Sequence, residues 1–261
     1  MEETLHYTMS GSGPPLVFVH GWAMHSGVWQ QLAKAFADEF TVIAPDLRGH
    51  NRSRDLAGPC SYEVLAGDIQ GLVSRLGLHG VSYVGWSMGV SLLLKMVGMY
   101  QPEMRALVCI SGNPSFVKRS DYEAGLPEVS VRRLAKQVGR DYPGGLDYFY
   151  RLLGSVEELQ LLKSSGSYAV LADPQAVPTQ AVALETLACL QHEDVRQELG
   201  AVAAPTLIIQ GSADRITHPQ AATYMHRRIP GAELCMIEGA GHVPFLTHRD
   251  KVVGAMRGFF N

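Results

Sequence analysis

A Gly-x-Ser-x-Gly motif between a β-rich run and a run of helical length constrains this chain more than any other feature. The run from Val81 to Val84 is typical of a buried strand, and it leads directly into Gly85-Trp86-Ser87-Met88-Gly89. An apolar run that begins at Ser91 and Leu92 then continues for the length of a helix. We therefore expect Ser87 on a tight strand-to-helix turn, the arrangement called a nucleophile elbow.

The flanking glycines and the helix start explain why this spacing suits a reactive serine. A serine forced up at a strand end leaves no room for bulk two residues away, and Gly85 and Gly89 remove that bulk. A helix N-terminus directs backbone N–H groups and the positive end of its dipole at the place where an oxyanion would form. The backbone N–H of Met88 is therefore a candidate oxyanion donor.

Length and composition limit the classes of protein that this chain can belong to. Its 261 residues, 46% hydrophobic, can bury the core of one large α/β domain, with or without an insertion. A net charge of −3 argues against a nucleic-acid-binding protein. The sequence has no apolar run of membrane-spanning length, and its acidic start does not resemble a signal peptide, so we expect a cytoplasmic protein without a membrane partner.

The cysteines and other metal-ligand residue types give no sign of a metal or a cofactor. Cys60, Cys109, Cys189 and Cys235 are far apart and form no Cys-x-x-Cys pair. We interpret them as buried thiols, neither disulfides nor metal ligands. No cluster of His, Asp and Glu has metal-ligand spacing, and no Gly-x-Gly-x-x-Gly follows a strand.

Strand and helix patterns alternate along most of the chain. Seven runs read as strands: Leu5–Met9, Leu16–Val19, Thr41–Ala44, Val81–Val84, Ala106–Ser111, Pro205–Gln210 and Leu234–Glu238. Helical patterns between them predict a mostly parallel sheet of about seven strands with helices on both faces, an α/β fold. The alternation breaks from residue 113 to about 194, where several helical patterns follow one another. We expect a core in two parts, 1–112 and 195–261, and a helical cap insertion, 113–194.

The turn after the second predicted strand offers another backbone donor. That strand ends in His20-Gly21-Trp22, which places the Trp22 N–H at the carboxyl edge of the sheet. Ligand sites in open α/β sheets lie at this edge. Trp22 N–H is therefore our second candidate oxyanion donor.

A serine nucleophile needs a base, and the base needs a carboxylate that orients it. His242 lies in the loop after the last predicted strand, and Asp214 lies in the loop after the strand before it. Both loops emerge at the edge of the sheet where Ser87 is expected. The order Ser87, Asp214, His242 is the order of an α/β-hydrolase catalytic triad.

These landmarks together resemble the α/β-hydrolase superfamily over the chain outside the insertion. The combination of His20-Gly21-Trp22 with Gly85-Trp86-Ser87 is similar to the pimeloyl-acyl-carrier-protein methyl ester esterases of biotin synthesis (BioH type). Val90 departs from that family, which usually has Gly at this position. The resemblance implies Ser87, Asp214 and His242 as catalytic residues and Trp22 and Met88 as substrate-oxygen contacts. It also implies an acyl channel lined by Tyr148, Phe149, Tyr150, Arg151, Leu152 and Leu153.

The predicted cap carries an amphipathic helix with a basic face. Arg132, Arg133, Lys136 and Arg140 share one side of a helical wheel, and apolar residues cover the other side. On its own such a face is most often only solvated. If an acidic acyl carrier protein presents the substrate, as the resemblance implies, the same face becomes its docking site.

Several functions remain open at this stage. The leading hypothesis is a serine carboxylesterase for the methyl ester of a carrier-bound medium-chain acyl group, acting as a monomer. The same triad also serves a broad small-ester hydrolase, a cofactor-free perhydrolase or a carbon–carbon bond hydrolase, because the fold does not choose among them. A slow-turnover ligand receptor that keeps the triad is an alternative from a different class.

Overall fold

The computed structural model describes residues 4–261, which are organised around a seven-stranded sheet. In chain order the strands are β1 Tyr7–Ser10, β2 Pro15–Val19, β3 Thr41–Pro45, β4 Val81–Trp86, β5 Met104–Ile110, β6 Thr206–Gly211 and β7 Glu233–Ile237. Across the sheet their order is β1-β3-β2-β4-β5-β6-β7. Strand β1 pairs antiparallel with β3, and the other neighbours pair parallel.

Helices follow the strands and cover the sheet. They are α1 Gln30–Phe36, α2 Tyr62–Arg75, α3 Met88–Tyr100, α4 Glu128–Arg140, α5 Tyr142–Tyr150, α6 Val156–Ser164, α7 Ser167–Leu171, α8 Gln180–His192, α9 Pro219–Arg228, α10 Pro244–Thr247 and α11 Arg249–Phe260. Short 3₁₀ helices occupy Ser26–Trp29, Asn51–Ser53 and Arg196–Ala201. Every residue of β4 and β6 is buried, because helices pack on both faces of a parallel sheet.

Parallel register brings the functional loops to one edge. Strand β4 pairs with β5 from Val81 to Trp86, and β6 pairs with β7 up to Gly211 and Ile237. Because parallel strands point the same way, the loops after β2, β4, β6 and β7 all leave the sheet at its carboxyl edge. The predicted fold class, an α/β sheet of seven mostly parallel strands, is confirmed.

Helices α4 to α8 follow β5 before the chain returns to the sheet at β6. We call residues 113–194, which contain these helices, the cap. The indole N–H of Trp22 donates to the carbonyl oxygen of Ala183 at 2.9 Å, so the cap contacts the loop after β2. The division into 1–112, 113–194 and 195–261 stays a prediction, and its first three residues lie outside the described range.

Local backbone and burial differ from expectation at a few positions. Strand β5 ends at Ile110 because Ser111, which we assigned to the strand, has a φ of +46° and leaves the extended conformation. Cys189 and Cys235 are only half-buried, unlike Cys60 and Cys109, so the expectation of four buried thiols was wrong for two.

Two features are absent from residues 4–261. No helix in this range combines the length and the apolar character needed to cross a membrane. Within the same residues, no group of three or more His, Cys, Asp or Glu side chains is arranged to hold a metal ion.

Candidate active site

Ser87 occupies the turn between β4 and α3 with a backbone conformation that residues other than glycine rarely adopt. Its φ is 54° and its ψ is −117°. Strained conformations of this kind cost on the order of 1–3 kcal/mol and persist only where the surroundings hold them. Here the Ser87 N–H donates to the carbonyl oxygen of Ile110 at 3.0 Å. The strand-to-helix turn expected from the motif is therefore present.

Close packing explains the glycines around the elbow. A Cβ on Gly85 would lie 2.8 Å from the carbonyl carbon of Gly89, and a Cβ on Gly89 would meet the carbonyl oxygen of Val19. Val90, which departs from the family pattern, is fully buried. A Cβ on Gly112 would lie 2.6 Å from the Val90 side chain. Gly112 therefore leaves the space that Val90 fills.

Asp214 and His242 form a buried hydrogen-bonded pair in the loops after β6 and β7. His242 Nδ1 lies 2.8 Å from Asp214 Oδ2, and both side chains are inaccessible to solvent. An ionised carboxylate can only accept, so this bond places the imidazole proton on Nδ1 and leaves Nε2 as the basic nitrogen. His242 Nε2 is buried and has no hydrogen-bond partner among residues 4–261. The pair thus holds a base whose reactive nitrogen is unoccupied.

The carboxylate of Asp214 accepts several further hydrogen bonds. Its Oδ1 accepts from the backbone N–H groups of Ile216 and Thr217 at 2.8 and 3.0 Å. Its Oδ2 lies 3.0 Å from Gln210 Nε2 and 2.8 Å from Thr217 Oγ1. Burial alone would raise the pKa of Asp214, but His242 and the backbone donors outweigh it and hold this pKa below its usual value. Asp214 is therefore ionised at neutral pH.

The backbone of His242 is held from two sides. Its N–H donates to the carbonyl oxygen of Leu153 in the cap at 2.8 Å. Its carbonyl oxygen accepts from the indole N–H of Trp86 at 2.8 Å, and the two rings pack with centroids 5.5 Å apart. The carbonyl oxygen of Ala240, two residues before His242, accepts from the N–H of Ala213 at 2.9 Å, which ties this loop to the one that carries Asp214.

The turn after β2 runs beside the serine. His20 Nδ1 donates to the carbonyl oxygen of Gly21 at 2.9 Å, and its Nε2 accepts from the N–H of Leu47 at 3.0 Å. This pattern requires a neutral imidazole, and burial, followed by the neighbouring His50, lowers the pKa of His20 to about 3. A Cβ on Gly21 would lie only 3.3 Å from the Cβ of Ser87. The rigid turn therefore brings the next residue close to the elbow.

Trp22 and Met88 are the two residues whose backbone N–H groups we predicted to be oxyanion donors. Met88 is the first residue of α3, where a backbone N–H has no intrahelical acceptor. Trp22 follows Gly21 directly, and its indole is tied to the cap through Ala183. Trp22 follows Gly21, which packs beside Ser87, and Met88 follows Ser87 itself. The role of their N–H groups as donors stays a prediction.

Five of the six predicted channel residues have side chains at least half-buried in the cap. They are Tyr148, Phe149, Tyr150, Leu152 and Leu153. The Phe149 ring packs edge-on against the Trp22 ring, with centroids 4.8 Å apart. The Tyr150 hydroxyl is buried without a hydrogen-bond partner in the described part of the chain. This side of the cap is mostly apolar, with one unpaired hydroxyl.

Arg151, the sixth predicted channel residue, lies elsewhere. Its side chain is 69% exposed, and its guanidinium pairs with the carboxylate of Asp147 one turn earlier on α5. A charged side chain held at the surface in this way does not line a buried channel, so we correct that assignment.

The four basic residues predicted on α4 are all exposed. They are Arg132, Arg133, Lys136 and Arg140. Arg132 pairs with Glu128 at 2.7 Å, and Glu128 also accepts from Gln191. The positive field is therefore weaker at Arg132 than the sequence of the helix suggested.

Sequence reasoning missed several contacts that support the site. The hydrogen bond from the Thr217 N–H to Asp214 could have been predicted, because Asp side chains often accept from backbone N–H groups two or three residues later. Gln210, Trp86 and Leu153 gave no comparable signal for their contacts with Asp214 and His242, because these depend on the packing of distant segments.

A strand-to-helix serine, followed in sequence by a buried Asp–His pair at the ends of later parallel strands, is the arrangement of the α/β hydrolases. The chain belongs to the α/β-hydrolase family, since a family model described as alpha/beta hydrolase fold matches residues 14–249. It is similar to the pimeloyl-[acyl-carrier protein] methyl ester esterase of Nitrosomonas europaea, with 32% identity over 253 residues that cover 96% of this chain and 97% of the relative. The predicted family resemblance is thereby confirmed.

Two solved structures share the fold closely. An esterase (EaEST) from Exiguobacterium antarcticum is 25% identical with a TM-score of 0.89, over 98% of this chain and 94% of that one. A bromoperoxidase from Bacillus anthracis is 25% identical with a TM-score of 0.91, over 97% of this chain and 94% of that one.

Proposed function

We propose that this protein is a serine carboxylesterase that hydrolyses the methyl ester of a carrier-protein-bound pimeloyl group, or a similar medium-chain dicarboxylyl group, in biotin synthesis. The observation that carries the proposal is the buried 2.8 Å bond between Asp214 and His242, which leaves Nε2 without a partner among residues 4–261 at the edge where Ser87 stands. The name of the relative from Nitrosomonas europaea supports the choice of substrate.

The proposed reaction proceeds through an acyl-enzyme. Ser87 Oγ attacks the ester carbonyl while His242 Nε2 takes the hydroxyl proton, and Asp214 stabilises the imidazolium that forms. The N–H groups of Trp22 and Met88 donate to the oxyanion. His242 returns the proton to the departing methanol. Water then attacks the acyl-enzyme with His242 as base, which releases the carboxylate and restores Ser87.

The hydrogen bond between Ser87 and His242 belongs to the substrate-bound state in this scheme. Such bonds are often long or misaligned before substrate arrives and tighten in the complex. Ser87 is only 8% exposed, so substrate has to reach it beneath the cap. The apolar side chains of Phe149 and Leu153 suit the methylenes of an acyl chain.

An acidic acyl carrier protein is the proposed partner, with the basic face of α4 as its docking site. Arg133, Lys136 and Arg140 carry most of the net positive charge of that face, because Glu128 pairs with Arg132. Opposite charges across such a surface chiefly raise the rate of encounter. The monomeric state and the cytoplasmic location stay predictions that accompany this proposal.

Genetic complementation tests the proposal in one step. The gene should restore biotin-independent growth to a strain that lacks the methyl esterase, and the Ser87→Ala variant should not. Growth with both would place the activity elsewhere in the chain. Growth with neither, at normal protein levels, would contradict the proposed substrate.

A broad small-ester hydrolase or a perhydrolase is the second candidate. It is favoured by the likeness to the Exiguobacterium antarcticum esterase and the Bacillus anthracis bromoperoxidase. Comparing free and carrier-bound methyl esters separates it from the first proposal, because only a carrier-dependent enzyme prefers the bound form. A carbon–carbon bond hydrolase would cleave neither ester well, and a receptor would turn over p-nitrophenyl esters very slowly.

A further inference from the structure

Glu158 of α6 is a buried carboxylate that the proposed mechanism does not use. It lies in the first turn of the helix, where it completes a capping box with Ser155. Its Oε2 accepts from the Ser155 N–H at 3.0 Å, and Ser155 Oγ accepts from the Glu158 N–H at 3.2 Å. A capping box of this kind normally lies at the surface, yet only 7% of Glu158 is exposed. The burial points to a second role.

That second role is visible in the partners that Glu158 has outside its own helix. The backbone N–H of Gly241 donates to both carboxylate oxygens, at 3.0 Å to Oε1 and 3.1 Å to Oε2. The hydroxyl of Thr247 donates to Oε1 at 2.7 Å. Both oxygens of Glu158 therefore accept hydrogen bonds from the backbone or side chains of the loop after β7 and the segment that follows it.

Gly241 is the residue before His242, so Glu158 holds the backbone that carries the proposed base. The fit is close, because a Cβ on Gly241 would lie 2.6 Å from the carbonyl oxygen of Leu153 and 2.9 Å from Glu158 Oε2. The next N–H along, that of His242, donates to the same Leu153 oxygen at 2.8 Å. Two consecutive backbone N–H groups are thus fixed by one short segment of the cap.

The same segment also contacts the loop of the orienting carboxylate. Arg215, which follows Asp214, donates to the carbonyl oxygen of Gly154 at 2.9 Å. Residues 153–158 therefore touch both loops whose side chains form the 2.8 Å bond between His242 and Asp214. A shift of this segment would change the geometry of that bond.

We infer that Glu158 is a positioning residue, whose carboxylate sets the place of the His242 imidazole through the N–H of Gly241. The inference rests on the proposed role of His242 as base, and it is independent of which ester is the substrate. In this interpretation, residues 153–158 of the cap hold the two core loops that carry Asp214 and His242 in a fixed position.

Replacing Glu158 by Gln gives the sharpest test. Glutamine keeps the size of the side chain but turns one acceptor oxygen into an NH₂ group, which then faces a donor whichever way the amide is oriented. Glu157→Gln is the matched control, because it makes the same change one residue earlier on an exposed side chain. Both variants are assayed with p-nitrophenyl butyrate, and their folding is followed by near-UV circular dichroism and urea unfolding.

Glu158→Gln should lower kcat between about 10- and 100-fold with little change in KM, since small displacements of a catalytic group have effects of this size. A merely structural role would lower the resistance to urea and leave kcat and KM unchanged. Glu157→Gln should match the wild type throughout.

A gentler variant covers the case in which Glu158→Gln does not fold at the assay temperature. Glu158→Asp keeps the charge and draws the carboxylate back by one methylene, so its kcat should fall to an intermediate value. A folded Glu158 variant with kcat within about twofold of Glu157→Gln would overturn the inference. Failure of the proposed function looks different, because then the wild type would be inactive or Ser87→Ala would keep its activity.

Discussion

Trp86 donates its indole N–H to the carbonyl oxygen of His242 at 2.8 Å, so the residue before the elbow serine holds the backbone of its proposed base. The Trp86 side chain is buried and also packs against Phe245 with ring centroids 5.1 Å apart. The strand that positions Ser87 therefore also helps to position His242.

Trp86→Phe should lower kcat by about tenfold, because the ring stays in place while the bond to His242 is lost. Trp29→Phe is the matched control in the same aromatic cluster, since its indole N–H has no hydrogen-bond partner among residues 4–261. Each change should cost about 1–3 kcal/mol in the free energy of unfolding. Equal losses of kcat in the two variants would show that the bond to His242 does not matter.

Two buried histidines should make the fold sensitive to acid. Burial lowers the pKa of His50 to about 4, and burial together with His50 lowers that of His20 to about 3. In the unfolded chain both would titrate near their ordinary value of 6.5. Between pH 6.5 and about 4 the unfolded state therefore binds protons that the folded state does not, and stability is full above this window and falls as the pH drops through it.

At pH 5 the loss should be about 2 kcal/mol for each histidine. Urea unfolding at pH 7.5 and pH 5 measures it, with His50→Asn as the test, because Asn can replace the hydrogen bond from His50 Nδ1 to the carbonyl oxygen of Arg48. The variant should lose about 2 kcal/mol less than the wild type between these pH values. An unchanged difference would mean that His50 does not contribute to the acid sensitivity.

Much of the site could be predicted because it follows strand ends. Ser87, Asp214 and His242 each lie just after an apolar run, and glycines mark the turns that present them. The contacts that hold these residues were out of reach, because they join segments far apart in sequence. Glu158 and Gly241 are 83 residues apart, and Trp86 and His242 are 156 apart.

The errors have more local causes. Arg151 lies four residues after Asp147, a spacing that favours an ion pair on the surface of a helix. This spacing already indicated that the Arg151 side chain would lie at the surface and not in the channel. Glu128 is the first residue of α4, one helical turn before Arg132, and it neutralises part of the basic face. Ser111 leaves β5 through a positive φ that its residue type does not signal.

The basic face of α4 should matter for a carrier-bound substrate and not for a small one. Arg133→Glu combined with Lys136→Glu avoids the arginine already paired with Glu128 and should lower kcat/KM for the carrier-bound methyl ester several-fold at low salt. The loss should shrink at physiological ionic strength, where the Debye length is about 8 Å. Hydrolysis of p-nitrophenyl butyrate should stay unchanged.

Lys34→Glu combined with Arg227→Glu is the control, because it makes the same change in net charge on exposed positions of α1 and α9. If the two double variants have an equal effect on the carrier-bound ester, the basic face of α4 acts only through the net charge of the protein. Equal loss on both substrates would mean that the α4 variant disturbs the cap.

The most direct measurement is the hydrolysis of the methyl ester of a carrier-bound pimeloyl group by the wild type and by Ser87→Ala. The wild type should act with kcat/KM above about 10⁴ M⁻¹s⁻¹, within the usual range for enzymes on their own substrates. Ser87→Ala should fold normally and lose on the order of 10⁶ in kcat, because residues of a triad act as a unit. Near-wild-type hydrolysis by Ser87→Ala would contradict the assignment of the nucleophile. A wild type that turns over p-nitrophenyl butyrate but leaves the carrier-bound ester intact would contradict the proposed substrate.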